Sequence, residues 1–291
     1  MRRLRTPKAF SRKSKAEIVL HIFVSLIFFA VCASYCYLIV WAVFAGLKSH
    51  TEVILSPFTI PSEWHWEHFI EVFQRLKVGK NNFFNMVFNS VWFSVGTSAL
   101  THFFTAGFAY VCTKYKFPGS NLPYLIILIM ITLPIYGNAG ATYKLYHSLG
   151  LVNNYAQIIA AAGGFNMFFL YYRAFYQNLS WTYAEAAMVD GADDFQIYFR
   201  IMSPMAKPIM GALFITSWLA NWNAYDSALV FLPNLPTLPV GIYQFNTEMI
   251  YQARLDILFA ACVIVMLPAL ILFTVFNKTI TTNVSIGGLK G

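Results

Sequence analysis

The sequence predicts an all-α integral membrane protein with six transmembrane helices and both termini in the cytoplasm. Three observations lead there. Hydrophobic residues make up 58% of the chain and charged residues only 11%, where an ordinary soluble domain carries roughly 25% charged, and the mean hydropathy is +0.57. Apolar runs near the roughly 20 residues that cross hydrocarbon recur along the chain. They do not alternate as barrel strands do, so a backbone that must satisfy itself in lipid has to be helical. With the N-terminus inside, 14 of the 20 Lys and Arg fall in cytoplasmic segments, the side on which such residues are retained.

The elements follow in order. Residues 1–15 form a basic cytoplasmic arm, and residues 16–291 a single transmembrane domain with a cytoplasmic loop at 176–208 and a C-terminal tail at 277–291. The formal charge of +8 then anchors the chain to anionic headgroups, and nothing calls for nucleic acid. The first span, Ile18 to Leu47, is too long for the h-region of a secretory signal and is expected to be retained. An external segment follows, with Trp64, Trp66 and Phe69 among Glu63, Glu67 and Glu71. That pattern suits a short amphipathic helix at the headgroup level. His65 and His68 share its face, but an i, i+3 pair alone reads as surface rather than as a zinc site, and no metal is expected.

The second span, Met86 to Val111, opens near Asn89-Ser90 and closes on a tight turn at Pro118-Gly119, with Lys114 and Lys116 placing that turn inside. The third, Leu122 to Gly140, is interrupted by Pro134 and Gly137; the fourth is Tyr155 to Phe175, the fifth Ile209 to Phe231, and the sixth Ile257 to Phe276. Cys32, Cys36 and Cys262 fall within spans and Cys112 at the end of the second, and all four are expected as buried apolar thiols.

Between the fourth and fifth spans lies the most telling stretch. Ser180 to Glu185 can cap and start a helix, with an acid in its first turn. Asp190-Gly191 breaks it, a second helix is expected over Asp193 to Ile201, and Pro204 should turn the chain back toward the membrane. Ala186 and Ala187 are small enough for another surface to approach, and Met188 can adapt to an irregular groove. The result is a short, stiff knob suited to a partner's cleft.

In the fifth span Trp222, Asn223, Tyr225 and Asp226 set an indole, an amide, a phenol and a carboxylate into an apolar helix. Polar groups are costly in hydrocarbon, so they should face a watery path, with Trp222 and Tyr225 on one face and Asn223 and Asp226 on another. Aromatic planes beside amide and carboxylate acceptors suit a sugar. Bonds to a neighbouring helix are an equal alternative for each.

The spacing Glu185-Ala186-Ala187, Gly191, Ile201 and Pro204 resembles the "EAA...G.........I.LP" signature of the permease subunits of ATP-driven, binding-protein-dependent importers. Ser203 stands where that pattern has Leu. The Trp-Asn pair at 222–223, the run Leu235 to Gly241 and the C-terminal Ile286 to Gly291 further resemble the smaller permease of maltose-type ABC importers. The resemblance implies a type I ABC importer permease fold in a bacterial plasma membrane, and a heterodimer with a second permease. Two cytoplasmic ATPase subunits and an extracytoplasmic solute-binding protein complete the implied assembly, with a sugar or oligosaccharide as cargo. It implies that Glu185, Ala186, Ala187, Met188, Asp190 and Gly191 couple to the ATPase, and that Gly288, Leu289, Lys290 and Gly291 also reach it. The external loop Leu232 to Asp256 would probe the binding protein, held extended by Pro233, Pro236 and Pro239.

No P-loop or other glycine-rich phosphate cradle occurs in the sequence, so ATP and Mg belong to the partner ATPase and this chain is not expected to be an enzyme. The competing class is a secondary transporter or channel. Those carriers place ionisable groups at mid-bilayer and are built from repeated halves, whereas here Asp226 alone lies clearly in a span and no repeat is visible.

Overall fold

The computed structural model describes residues 15–133, 139–163, 166–252 and 254–284. Among them there is no β-strand, only a bridge in which Val78 and Asn81 exchange backbone hydrogen bonds of 2.9 Å. Four long helices form the frame: α1 (Lys15–Leu47), α4 (Phe83–Lys114), α11 (Ser203–Asn223) and α14 (Leu255–Val284). Two segments, Glu17–Leu47 and Leu255–Val275, are long and apolar enough to cross a membrane by length and composition.

α1 is apolar on every side, and each residue from 17 to 38 is exposed. Such a helix cannot rest in water; lipid or another apolar helix must cover it. Only its C-terminal end joins the body, where Gly46 lies so close to α14 that a Cβ there would meet the backbone nitrogen of Ala260 at 2.9 Å. Cys32, Cys36 and Cys262 are on the exposed surface and only Cys112 is buried. The expectation of buried thiols therefore holds for one of the four, because hydropathy marks a helix as apolar without saying which face its neighbours cover.

After α1 come α2 (His50–Leu55) and α3 (Glu67–Arg75). The amphipathic segment is a helix as expected, but it does not merely lie on the headgroups. Val72 and the following Leu76 are fully buried in an outer core with Met86, Trp218, Trp222 and Met249. α4 starts earlier than expected, at Phe83, since the side chain of Asn82 accepts from Asn85 N at 3.0 Å and caps it. Asn89 and Ser90 are thus interior and buried. Asn89 Nδ2 donates to Pro236 O (3.1 Å) and Ser90 Oγ accepts from Leu238 N (2.6 Å).

Three of the expected spans are broken. The third is α5 (Leu122–Thr132) and α6 (Ala139–Ser148), with Pro134 and Gly137 outside the described residues. The fourth is α7 (Gln157–Ala162) and α8 (Phe168–Asn178), the first ending where Gly163 takes φ 54°. The fifth is α11 and α12 (Asp226–Phe231), parted at Ala224, whose ψ of 96° is extended. Between these elements lie α9 (Thr182–Val189), α10 (Asp194–Ile197) and, before α14, α13 (Leu238–Tyr251). α13 corrects the expected extended loop. Pro239 sits in its first turn, where a missing N–H leaves no bond unmade, so the proline starts a helix instead of preventing one.

α4 is the central post. Its inner face carries the buried hydroxyls Ser90, Ser94, Thr97, Ser98, Thr101 and Thr105, small enough to let α7, α8 and α11 approach its backbone closely.

Candidate functional site

The knob forms as its residues require. α9 runs Thr182–Val189; Trp181 rather than a serine or threonine holds its N-cap position and makes no side-chain cap, while Ser180 Oγ, one residue further out, accepts from Thr182 N at 3.3 Å. Its C-terminus is a complete Schellman motif: Gly191 N donates to Met188 O (3.0 Å) and Ala192 N to Ala187 O (2.9 Å), with Gly191 at φ 81°. A Cβ on Gly191 would meet nothing within 4 Å, so it is the left-handed backbone, not a close neighbour, that calls for glycine.

Ala184 and Ala187, three residues apart, face inward and are 0% and 8% exposed. They seat α9 on an inner core of Tyr110, Phe169, Tyr172, Tyr176, Ile197 and Met202. Here the expectation for Ala187 is corrected. It packs against its own chain, and Ala186 is the small residue left facing out, together with Glu185, Met188, Asp190 and Gly191. The outward face is more apolar than foreseen. Val189 is 87% exposed and Phe195 78%, on a loop otherwise rich in acids. For Val189 the signal was present in the helical period, which puts 185 and 189 opposite 184 and 187 and leaves 188 at the edge of the buried face.

The segment after the knob is one continuous rod. Asp193 caps α10 through Gln196 N (2.7 Å); a π turn over Tyr198–Met202 then leads directly into α11. The expected helix end at Ile201 and turn at Pro204 do not occur. The wider π turn takes up the local misfit, and Pro204 falls in the first turn of α11. Stapling continues beside it. Lys114 Nζ donates to Leu179 O at 2.5 Å, covering the carbonyl at the end of α8. Tyr115 donates its hydroxyl to Asp194 Oδ1 at 2.8 Å, and burial, reinforced by that bond, pushes the Tyr115 phenol above its usual range. The handle is therefore fixed at both ends and on its inner face.

The four residues expected to line a path are not brought together as foreseen. Trp222 is 3% exposed, in the outer core with its ring 5.3 Å from that of Trp218. Asn223 is exposed and donates to Leu219 O (2.8 Å). Tyr225 and Asp226 lie beyond the break, so the shared faces predicted from a continuous helix do not exist. Tyr225 stacks instead on Tyr243 of α13 (5.0 Å, 19°), a residue the sequence reading passed over, and Asp226 is exposed at the first position of α12.

Residues 117–285 match the family described as the binding-protein-dependent transport system inner membrane component. The chain belongs to that family. It is similar to the diacetylchitobiose uptake system permease protein NgcG of Streptomyces coelicolor, 32% identical over 256 residues that span 86% of this chain and 82% of that one. It is also 27% identical to the arabinooligosaccharides transport system permease protein AraQ of Bacillus subtilis, over 96% and 99% of the two chains. Among solved structures it resembles a bacterial ABC transporter involved in the import of the acidic polysaccharide alginate, with a TM-score of 0.76 at 20% identity, covering 92% and 99% of the chains. The permease fold and the membrane location are thus established, and the carrier driven without ATP is set aside.

Two other sequence expectations can be placed on the permease. Gly288, Leu289, Lys290 and Gly291 lie outside the described residues. The His pair is not surface decoration. His65 Nδ1 pairs with Glu67 Oε1 at 2.6 Å, a bond that lowers the exposed Glu67 carboxyl. His68 is buried, with Nδ1 3.1 Å from Gly46 O and Nε2 3.3 Å from Asp256 Oδ2. Ligand atoms of His65, Glu67 and His68 lie within 4.8 Å of one another. Both ring nitrogens of His68 already face acceptors, however, so the pair ties α3 to α1 and α14 instead of offering a metal shell.

Proposed function

We propose that this permease forms a translocation path with a second permease and couples it to two cytoplasmic ATPase subunits through residues 185–191, importing a sugar or oligosaccharide delivered by an extracytoplasmic binding protein. The observation that carries the coupling is the tip of α9. It is a helix closed by a Schellman turn and seated on its inner face that leaves Val189 87% exposed beside Glu185 and Met188. Covering this apolar tip with a partner's groove removes apolar surface from water, and stiffness lets it transmit closure of a motor into tilt of α8 and α11. ATP and Mg then reside on the partner.

Six crossings with both termini inside are supported by the basic-residue distribution and by pairing α5 with α6, α7 with α8, and α11 with α12. The cargo is supported by the names of the relatives and by exposed sugar-compatible groups, the Asn223 amide at the end of α11 and the stacked phenols of Tyr225 and Tyr243. A photo-crosslinking residue at Val189 in the assembled complex should trap the ATPase subunit. Adducts only to lipid or to the second permease would refute the coupling role. Uptake of labelled oligosaccharides in cells carrying and lacking the gene tests the cargo.

A further inference from the structure

Halfway along α4, the central post, sits His102, 2% exposed among aromatic rings. Its Nε2 is 2.8 Å from Ser217 Oγ of α11 and its Nδ1 2.9 Å from Tyr172 Oη of α8. The order of donors follows from the last link: Ser217 directs its proton to Phe214 O at 3.0 Å, so its lone pairs face His102 and must receive Nε2–H. Nδ1 then accepts from the Tyr172 hydroxyl. With the Ser217 proton on Phe214 O, the neutral tautomer that carries its proton on Nε2 satisfies every atom of the chain Tyr172, His102, Ser217, Phe214.

The placement matters because α8 and α11 are the two helices that flank the knob. Tyr172 lies six residues before the end of α8, roughly 9 Å along its axis, and Ser217 lies fourteen residues into α11, roughly 21 Å. Both helices pack lengthwise on α4. A polar chain this deep is costly to break, since each released group would be left unpaired in an apolar core. Apolar contacts between helices slide; directed hydrogen bonds of fixed polarity resist sliding.

We propose that His102 is the joint that makes α8, α11 and α4 move as one body when the knob is pulled, and so is a positioning residue for coupling. The inference rests on reading α9 as the handle. It goes beyond that reading by assigning the point inside the bundle where the handle's motion is joined to the central post. His102 touches neither cargo nor nucleotide in this role.

The test uses the whole complex, reconstituted with its second permease, ATPase and binding protein, and reads ATP hydrolysed per solute moved. Tyr172→Phe and Ser217→Ala each remove one bond with little change of volume. His102→Phe removes both, and His102→Gln keeps one donor and one acceptor. The ratio should rise roughly tenfold in His102→Phe, which loses both bonds, each bringing a factor of about three to an equilibrium. It should rise less in the single-bond variants, and His102→Gln should restore much of it.

An unchanged ratio in Tyr172→Phe and Ser217→Ala overturns the joint, whether or not His102→Phe assembles. So does a rise in His102→Gln equal to that in His102→Phe, which would mark a packing role alone. Gly191→Val measured alongside separates the two readings: if it too leaves the ratio unchanged, the handle itself is refuted, and if it alone raises the ratio, only the joint fails.

Discussion

His68 of α3 and Asp256 of α14 meet at 3.3 Å in the protein interior, with Asp256 only 1% exposed. Arg254 completes the site: its Nη2 lies 2.9 Å from Asp256 and 3.7 Å from Glu71, and the bonds to Asp256 hold the guanidinium above its ordinary range. Removing the His68 ring takes one of the two partners from the buried Asp256 carboxylate, leaves the Gly46 carbonyl without its side-chain contact and opens a cavity under α3. His68→Ala should therefore lower the midpoint of thermal unfolding in detergent and weaken the hold of α3 on α14. An unshifted midpoint would show that the pair contributes nothing.

Gly191→Val should leave insertion intact and uncouple uptake from ATP hydrolysis. The left-handed φ of 81° costs a side chain about 1–2 kcal/mol, and a β-branched one is the least suited to it. The Schellman turn would open and α9 would lose its stop. Uptake and ATPase rates in proteoliposomes check this.

Gly46→Leu should detach α1 from α14. The backbone nitrogen of Ala260 is 2.9 Å from where the Cβ must go, and backbone cannot yield as a flexible side chain can. Loss of a cysteine crosslink engineered between the two helices is the expected result, while α4 packing stays intact.

Alkaline pH should loosen the junction of α4 with α10. The Tyr115 phenol is raised in the folded state by burial first and by Asp194 second. Its stabilisation is therefore complete below the unfolded phenol value, about 10, and is lost as pH climbs from there through the raised value. Tyr115→Phe should flatten the fall of stability above about pH 10, measured as melting midpoint against pH; an identical slope in both proteins would contradict it.

Asp226→Asn should retain uptake and its dependence on ATP, since Asp226 is exposed at the start of α12. Uptake that vanishes together with a dependence on protons would contradict this.

The helix of the knob and its stop were legible in the chain because what makes them is local, an acid in the first turn and one glycine that takes positive φ; that Ala187 faces inward was not, because it depends on the residues of α8 and α10 that α9 meets. The path was less legible because its geometry depends on a break at Ala224 and Tyr225 that hydropathy does not mark. A helix there would have put Trp222 and Tyr225 on one face; with the break, Trp222 packs on Trp218 and Tyr225 finds Tyr243 across the chain.

By itself the sequence determined the solvent and the order of the elements, since composition sets how much of a chain must leave water and periodicity sets what forms between neighbours along it. The tertiary structure alone decided that the fourth and fifth runs break at Gly163 and Ala224, that Pro204 and Pro239 sit inside first turns, and that His68 and His102 are buried bonding centres. The physical reason is that a polar atom's fate depends on the partner that reaches it. For His102 those partners are Tyr172 and Ser217, 70 and 115 residues away along the chain.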